Sequence, residues 1–72
     1  MRQNGSMQIL LNGEPRQVEA GTTLDALVEA EGLAGRRVAI ELNGEIVPRG
    51  RHAGQALAEG DRMEIVHALG GG

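Results

Sequence analysis

The chain has 72 residues, enough for one domain, and a domain of this size buries only about 60% of the surface that its unfolded chain exposes. Its formal net charge of −3 and its lack of Phe, Tyr and Trp argue against nucleic acid as a partner, because they leave no basic footprint and no stacking platform. The absence of cysteine excludes disulfides and thiolate chemistry, and the absence of lysine excludes Schiff bases and a P-loop.

The start of the chain does not resemble a secretory signal. No apolar run reaches the roughly 18 residues of a membrane span, and no apolar stretch precedes a cleavage site. We therefore expect a cytoplasmic protein with no membrane partner, which the missing cysteines also favour. Residues 1–6 are polar and precede a second methionine, Met7, so we expect a vector-derived leader there; the alternative is a frayed native terminus.

The first predicted element is a β-hairpin over residues 7–19. A short apolar run ends in the turn signal Asn12-Gly13, and a second extended run follows. Pro15 stands at the start of the second run, where a missing backbone N–H does least harm.

A short helix is predicted next, over roughly residues 23–31. Thr22 with Asp25 three residues later resembles a capping box, and Gly32 suits a left-handed C-cap. The apolar stripe of this helix falls at i, i+3 and i+4: Leu24, Leu27 and Val28.

The second half of the chain predicts three more strands. Residues 38–42 alternate in polarity, and the hairpin signal Asn43-Gly44 leads into a short strand that Pro48 ends. Residues 49–60 are polar and irregular, with Ala56-Leu57 as a one-turn plug into the core. Residues 62–67 form the last strand.

The order β-β-α-β-β-β predicts an α+β fold, a β-grasp with a five-stranded mixed sheet packed on one helix. The helix must cross one face of the sheet, and the first and last strands must lie parallel in its centre. We expect this domain to span residues 7–69. The predicted core is aliphatic: Met7, Ile9, Leu11, Val18, Leu24, Leu27, Val28, Val38, Ile40, Leu42, Leu57, Met63 and Ile65.

No catalytic constellation is visible inside the chain. His52 and His67 are fifteen positions apart with no cysteine to complete a metal site, so we expect ordinary surface or strand residues and no bound metal. Charged pairs such as Arg36-Arg37 are interpreted as solvated surface.

The tail Gly70-Gly71-Gly72 remains as the candidate site. Glycines without Cβ atoms can enter a narrow channel, and six residues from His67 onward extend about 20 Å. The alternative is a frayed end or a cloning remnant. A carboxylate is a poor electrophile and must first receive a better leaving group, such as AMP. Since no ATP-binding motif is present, we expect a carrier and co-substrate of partner enzymes, not an enzyme.

Four stretches together resemble the ThiS family of thiamine-pathway sulfur carriers, which are ubiquitin-like β-grasp proteins. The Asn-x-x-Ile-Val-Pro-Arg stretch and the diglycine end are the most specific parts of the resemblance. It covers residues 7–72 and rests on Met7–Gly13, Leu42–Arg49, Glu59–Asp61 and Val66–Gly72.

The resemblance implies a route for sulfur. An E1-like adenylyltransferase, using ATP and magnesium, would adenylate the carboxylate of Gly72, and the carrier itself would bind no cofactor. Sulfur from a donor such as a cysteine desulfurase would give a terminal thiocarboxylate, which would pass to thiazole synthase. Gly71 would be the penultimate glycine in the partner's channel, with Gly70 extra to the minimal pair.

Strand parity predicts a partner-binding patch on the helix-free face of the sheet. Leu10, Ala39 and Val66 should point away from the helix there, and Leu69 is the preferred anchor just before the glycines. Isolated exposed apolar residues are the alternative explanation.

Two other functions stay open: a ubiquitin-like protein modifier, or a sulfur carrier for another pathway such as that of molybdopterin. A non-covalent binding domain with a dispensable tail is also possible.

Overall fold

The computed structural model describes residues 5–67, with side chains for residues 5–66. A five-stranded sheet and one helix make up these residues, together with one short 3-10 helix at Arg49–Arg51. The elements are β1 (Ser6–Leu11), β2 (Glu14–Glu19), α1 (Leu24–Ala30), β3 (Val38–Leu42), β4 (Glu45–Val47) and β5 (Arg62–His67).

The sheet has the strand order β2-β1-β5-β3-β4. β1 and β5 are parallel, while the other neighbouring pairs are antiparallel. The predicted α+β order, with the first and last strands side by side, is therefore confirmed. β1 begins at Ser6, which pairs with Glu19, one residue before the predicted start.

Both Asn-Gly pairs form the tight turns predicted for them. Asn12 and Asn43 each have a φ of 52°, and Gly13 and Gly44 have φ of 85° and 88°. Positive φ at both central residues is the geometry of a type I′ turn, whose twist matches that of the flanking strands.

The helix begins one residue later than the capping-box pattern predicts. Thr23 is the N-cap, because its Oγ1 accepts a hydrogen bond from the N–H of Ala26 at 3.1 Å. Thr22 instead donates its hydroxyl to the C=O of Glu19 at 2.6 Å, so its predicted capping role was wrong. The other end matches the prediction, since Gly32 has a φ of 78°.

Within residues 5–66 the core contains nine buried aliphatic side chains, and the prediction named all of them. They are Ile9, Leu11, Leu24, Leu27, Val28, Ile40, Leu57, Met63 and Ile65. Leu57 is buried as predicted. Its segment is not the predicted helical turn, since Ala56 forms an isolated β-bridge with Thr23. Leu33 and Val47, which the prediction omitted, also pack against the core.

His52 is buried, so its prediction as a surface or strand residue was wrong. The side chain is 8% exposed, and its Nε2 lies 3.1 Å from the C=O of Val47. A carbonyl can only accept, so Nε2 carries the proton of this hydrogen bond. The C=O of His52 accepts from the N–H of Asp25 at 3.0 Å. His52 thus fastens the segment after β4 to both β4 and α1.

An ion pair fastens the end of α1 to the edge strand β2. Arg16 Nη1 donates to Glu31 Oε2 at 2.6 Å, and this hydrogen bond holds the pKa of Glu31 below its usual value. Both side chains are partly exposed, so the pair adds little stability. No helix within residues 5–67 is long and apolar enough to cross a membrane.

Candidate functional site

The end of β5, from which the predicted tail departs, is held mainly by β3. Val66 pairs with Ala39, and the backbone of His67 pairs with Val38, the first residue of β3. The predicted tail residues Leu69, Gly70, Gly71 and Gly72 lie outside the described residues. The described part of the chain therefore shows the root of the tail and not the tail itself.

The other edge of β5 is held at this end by a side chain and not by a strand. β1 reaches β5 as far as the pair Leu11 and Met63. One step further, the Oδ1 of Asn12 accepts the N–H of Ile65 at 2.8 Å. Because Asn12 also occupies the left-handed turn position, one residue both ends β1 and continues its ladder for one more bond.

Asn43 in the second hairpin turn does the same at the start of β5. Its Oδ1 accepts the N–H of Arg62 at 2.9 Å, and its Nδ2 donates to Asp61 Oδ1 at 3.0 Å. The two Asn-Gly turns thus clamp β5 from opposite sides, one near each end. These two amides add to the backbone ladders that hold β5, and so help to fix the point at which the tail leaves the sheet.

Replacing Asn12 with Gly should loosen the end of β5 without disturbing the turn. Gly adopts positive φ freely but offers no acceptor to the N–H of Ile65. A hydrogen bond worth about 0.5–1.5 kcal/mol implies a fall of about two- to tenfold in hydrogen-exchange protection at Ile65. Asn12→Asp, which keeps the acceptor and tolerates positive φ, should restore it. Asn43→Gly is the matched control and should expose Arg62 instead; equal protection of Ile65 in all variants would contradict the clamp.

The predicted patch on the helix-free face is only partly assembled. Ala39 and Val66 are direct neighbours, and Val66 is 56% exposed. Leu10 lies opposite Arg62, four residues before Val66, which is about 13 Å along the strands. Leu10 shares the face but not the patch, so that part of the prediction was wrong.

Ile46, and not Leu10, is the third apolar residue of the patch. It is 63% exposed and pairs with Glu41, which puts it on the helix-free face, diagonal to Ala39. We call Val66, Ala39 and Ile46 the outer patch. Val66 and Ala39 lie at the end of the sheet from which the tail leaves, whereas Ile46, opposite Glu41, lies towards the Asn43-Gly44 turn. Within residues 5–67, no three His, Cys, Asp or Glu side chains gather as metal ligands would.

A family comparison adds to this geometry. The model of the ThiS family matches residues 9–72, which include the predicted glycine tail. The chain belongs to the ThiS family. Sulfur carrier protein ThiS of Escherichia coli is 33% identical over 66 residues, covering 92% of the chain and all of that relative.

A solved member of the ThiS family has the same fold. The crystal structure of the thiamine biosynthesis protein (ThiS) from Geobacter metallireducens superposes with a TM-score of 0.78 at 30% identity, covering 92% of the chain and 100% of that structure. The resemblance identified from the sequence and the predicted β-grasp fold are both confirmed.

Two further relatives are much longer proteins. Thiazole synthases of Magnetococcus marinus and Paramagnetospirillum magneticum are 48% and 44% identical to this ThiS-family chain over 66 residues. The match covers 92% of the chain but 20% of each relative, so the chain spans about a fifth of their length.

Proposed function

We propose that this chain carries sulfur for thiamine biosynthesis on the terminal carboxylate of Gly72. The family match that runs through the glycine tail is the observation that carries the proposal. The full-length likeness to a protein named as a sulfur carrier supports it. Partner enzymes would bind the folded domain, and β5 would fix the point from which the tail extends.

The chemistry belongs to partner enzymes. An oxygen of the Gly72 carboxylate attacks the α-phosphorus of ATP, pyrophosphate leaves, and an acyl adenylate forms on an E1-like adenylyltransferase that uses magnesium. A sulfur nucleophile, supplied by a donor such as a cysteine desulfurase, then displaces AMP. With a persulfide as the nucleophile, the product is an acyl disulfide; a second thiol then attacks the donor's sulfur, which forms a new disulfide and releases the sulfur on the carbonyl carbon as a thiocarboxylate. The chain is a co-substrate in each step and needs no cofactor of its own.

Thiazole synthase is the proposed acceptor of the sulfur. A stretch similar to this chain forms part of two proteins that are named thiazole synthase. Joining a carrier to its acceptor in one polypeptide raises their effective concentration to the millimolar range, an advantage when the two must meet repeatedly. The two joined proteins support the same partnership for this chain and favour the thiamine route over that of molybdopterin.

Intact mass after co-expression with the adenylyltransferase distinguishes the competing functions. Sulfur carriage predicts a mass gain equal to the exchange of one oxygen for sulfur. A ubiquitin-like modifier predicts adducts of much higher mass on other proteins. A chain that stays unmodified, although the enzyme, ATP and sulfur donor are all active, would contradict the proposal and favour a non-covalent binding domain.

The outer patch is the proposed contact surface for the adenylyltransferase, and Leu69, which precedes the glycines in the sequence, is a further proposed anchor. Val66→Asp should weaken binding by about tenfold or more, because a carboxylate would be desolvated in the contact without a partner. The melting temperature should hold, since the side chain is more than half exposed. Titration calorimetry with the adenylyltransferase measures the affinity of each variant directly. Leu10→Asp, placed on the same face but away from the patch, is the control, and an equal loss of affinity in both variants would contradict this assignment.

A further inference from the structure

Arginine side chains gather at the end of the sheet from which the tail leaves. Arg36 and Arg37 immediately precede Val38, whose backbone pairs with His67 at the end of β5. Arg49 begins the 3-10 helix that follows β4. Arg36 and Arg49, from separate segments, line the same cleft of about 470 Å³, and Val38 lines it with them. We call Arg36, Arg37 and Arg49 the arginine rim.

The arginine rim is exposed and carries no direct ion pair within residues 5–67. The ion pair found in that range joins Arg16 to Glu31, beside β2. Asp25 and Glu29 also line the cleft, yet neither carboxylate lies within 4.0 Å of a rim guanidinium. Nearby acids therefore soften the positive potential of the rim without occupying its hydrogen-bond donors.

The charges of the sheet are distributed unevenly along β3 and β5. Glu41 and Glu64 pair towards the Asn43-Gly44 end of β3, on the helix-free face. The rim lies beyond the Val38 end of β3, and Val66 and Ala39 stand between the two regions. In a chain of net charge −3, this arrangement concentrates three of the seven arginines near the root of the tail.

This uneven distribution of charge could orient the chain relative to a charged partner before the two proteins touch, with the tail end foremost. Arginine presents a planar fork of donors that matches carboxylates, and rim charges act mainly on the association rate and on the selection of the correct approach. A partner with carboxylates around its opening would attract the rim end and repel the acidic remainder of the sheet. The tail would then arrive pointing towards the opening.

We propose that Arg36, Arg37 and Arg49 form a docking rim for an acidic surface of thiazole synthase, around the opening that receives the tail. This inference rests on the proposed function, because it takes thiazole synthase as the acceptor. Thiazole synthase is chosen because two proteins of that name contain a stretch similar to this chain. In such joined proteins the tether keeps carrier and acceptor together, whereas separate chains depend on surface charge to meet in the right orientation.

Charge reversal tests the docking rim. Arg36→Glu and Arg49→Glu should each weaken binding of the full chain to separately purified thiazole synthase by about tenfold at low salt, mostly through a slower association rate. The wild type should show a steep loss of affinity with salt, and the double variant a much flatter one. Surface plasmon resonance at two salt concentrations measures both quantities. Arg49→Gln, which removes the charge without reversing it, should fall between the wild type and Arg49→Glu.

Arg62→Glu is the matched control. Arg62 is exposed at the opposite end of β5, and its reversal changes the net charge by the same amount. Its affinity for thiazole synthase should stay within about twofold of the wild type, since exposed charges more than a Debye length from the contact are largely screened. Unchanged melting temperatures in all variants show that each one is folded.

Three outcomes would overturn the docking rim: normal binding by the double variant, an equal loss with Arg62→Glu, or a defect confined to the adenylyltransferase. The proposed function fails on a different measurement, namely a wild-type chain that never gains sulfur. If the wild type gains sulfur and the double variant binds thiazole synthase normally, the rim is wrong and the carrier function stands.

Discussion

Removal of Gly71 and Gly72 is expected to lower sulfur acquisition by at least about a hundredfold, because displacement of a reacting group by even 1 Å can cost that much. The deletion leaves a carboxylate on Gly70 but withdraws it by two residues, about 7 Å of extended chain. The new terminus would therefore stop short of the activated phosphate in the partner. Intact mass after incubation with the adenylyltransferase, ATP and a sulfur donor measures the loss.

Two controls separate this effect from instability and from deletion in general. The sheet ladder and the core lie within residues 5–67, so the shortened chain should melt at the wild-type temperature. Removing Met1 and Arg2, which precede the family match, should leave sulfur acquisition unchanged. A shortened chain that gained sulfur as fast as the wild type would show that the terminal carboxylate is not the working group.

Gly71→Val tests channel width separately from reach. This variant keeps the length of the tail and its terminal carboxylate but adds a branched side chain. Sulfur acquisition should again fall steeply if the tail must enter a narrow channel. Normal acquisition would show that reach matters and width does not.

The fold could be predicted largely because local signals and the hydrophobic pattern agree. Asn12-Gly13 and Asn43-Gly44 specify type I′ turns because both residue types adopt positive φ readily. Each pair therefore predicts its hairpin from local sequence alone. The helix stripe and the strand alternation then leave one face to bury. His52 escaped prediction because a single histidine in an irregular segment has no periodicity, and its acceptor, the C=O of Val47, carries no side-chain signal.

The site could be predicted less well because parity fixes a face but not a register. Leu10 and Val66 share a face by alternation, yet the stagger between β1 and β5 separates them by four residues. That stagger is set by a parallel pairing between distant segments, which no turn specifies. The hydrogen bonds from the Asn12 and Asn43 side chains to β5 were not predicted, for another reason. Asn-Gly indicates a turn whatever the asparagine side chain binds, so nothing local indicates that Asn12 accepts the N–H of Ile65.

Ile40→Ala should have the largest effect on stability of any prediction made for this chain. Ile40 is 0% exposed and sits between Ile65 on β5 and Val47 on β4, so neighbouring strands on both sides lose a contact. Such truncations cost about 2–5 kcal/mol. A domain of 72 residues has about 4–11 kcal/mol in total, so about half of the stability is lost for middle values of both ranges. The melting temperature should fall by about 10 °C or more.

Graded and surface substitutions make this result specific to the core. Ile40→Val removes one methylene group and should cost about 0.5–1.5 kcal/mol. Ile46→Ala makes the Ala substitution on the adjacent strand at a mostly exposed position, where about 0.5 kcal/mol or less is expected. Urea unfolding followed by circular dichroism gives all three free energies. If Ile46→Ala proved as costly as Ile40→Ala, the helix-free face would be covered in solution, and the outer patch would not be free to bind a partner.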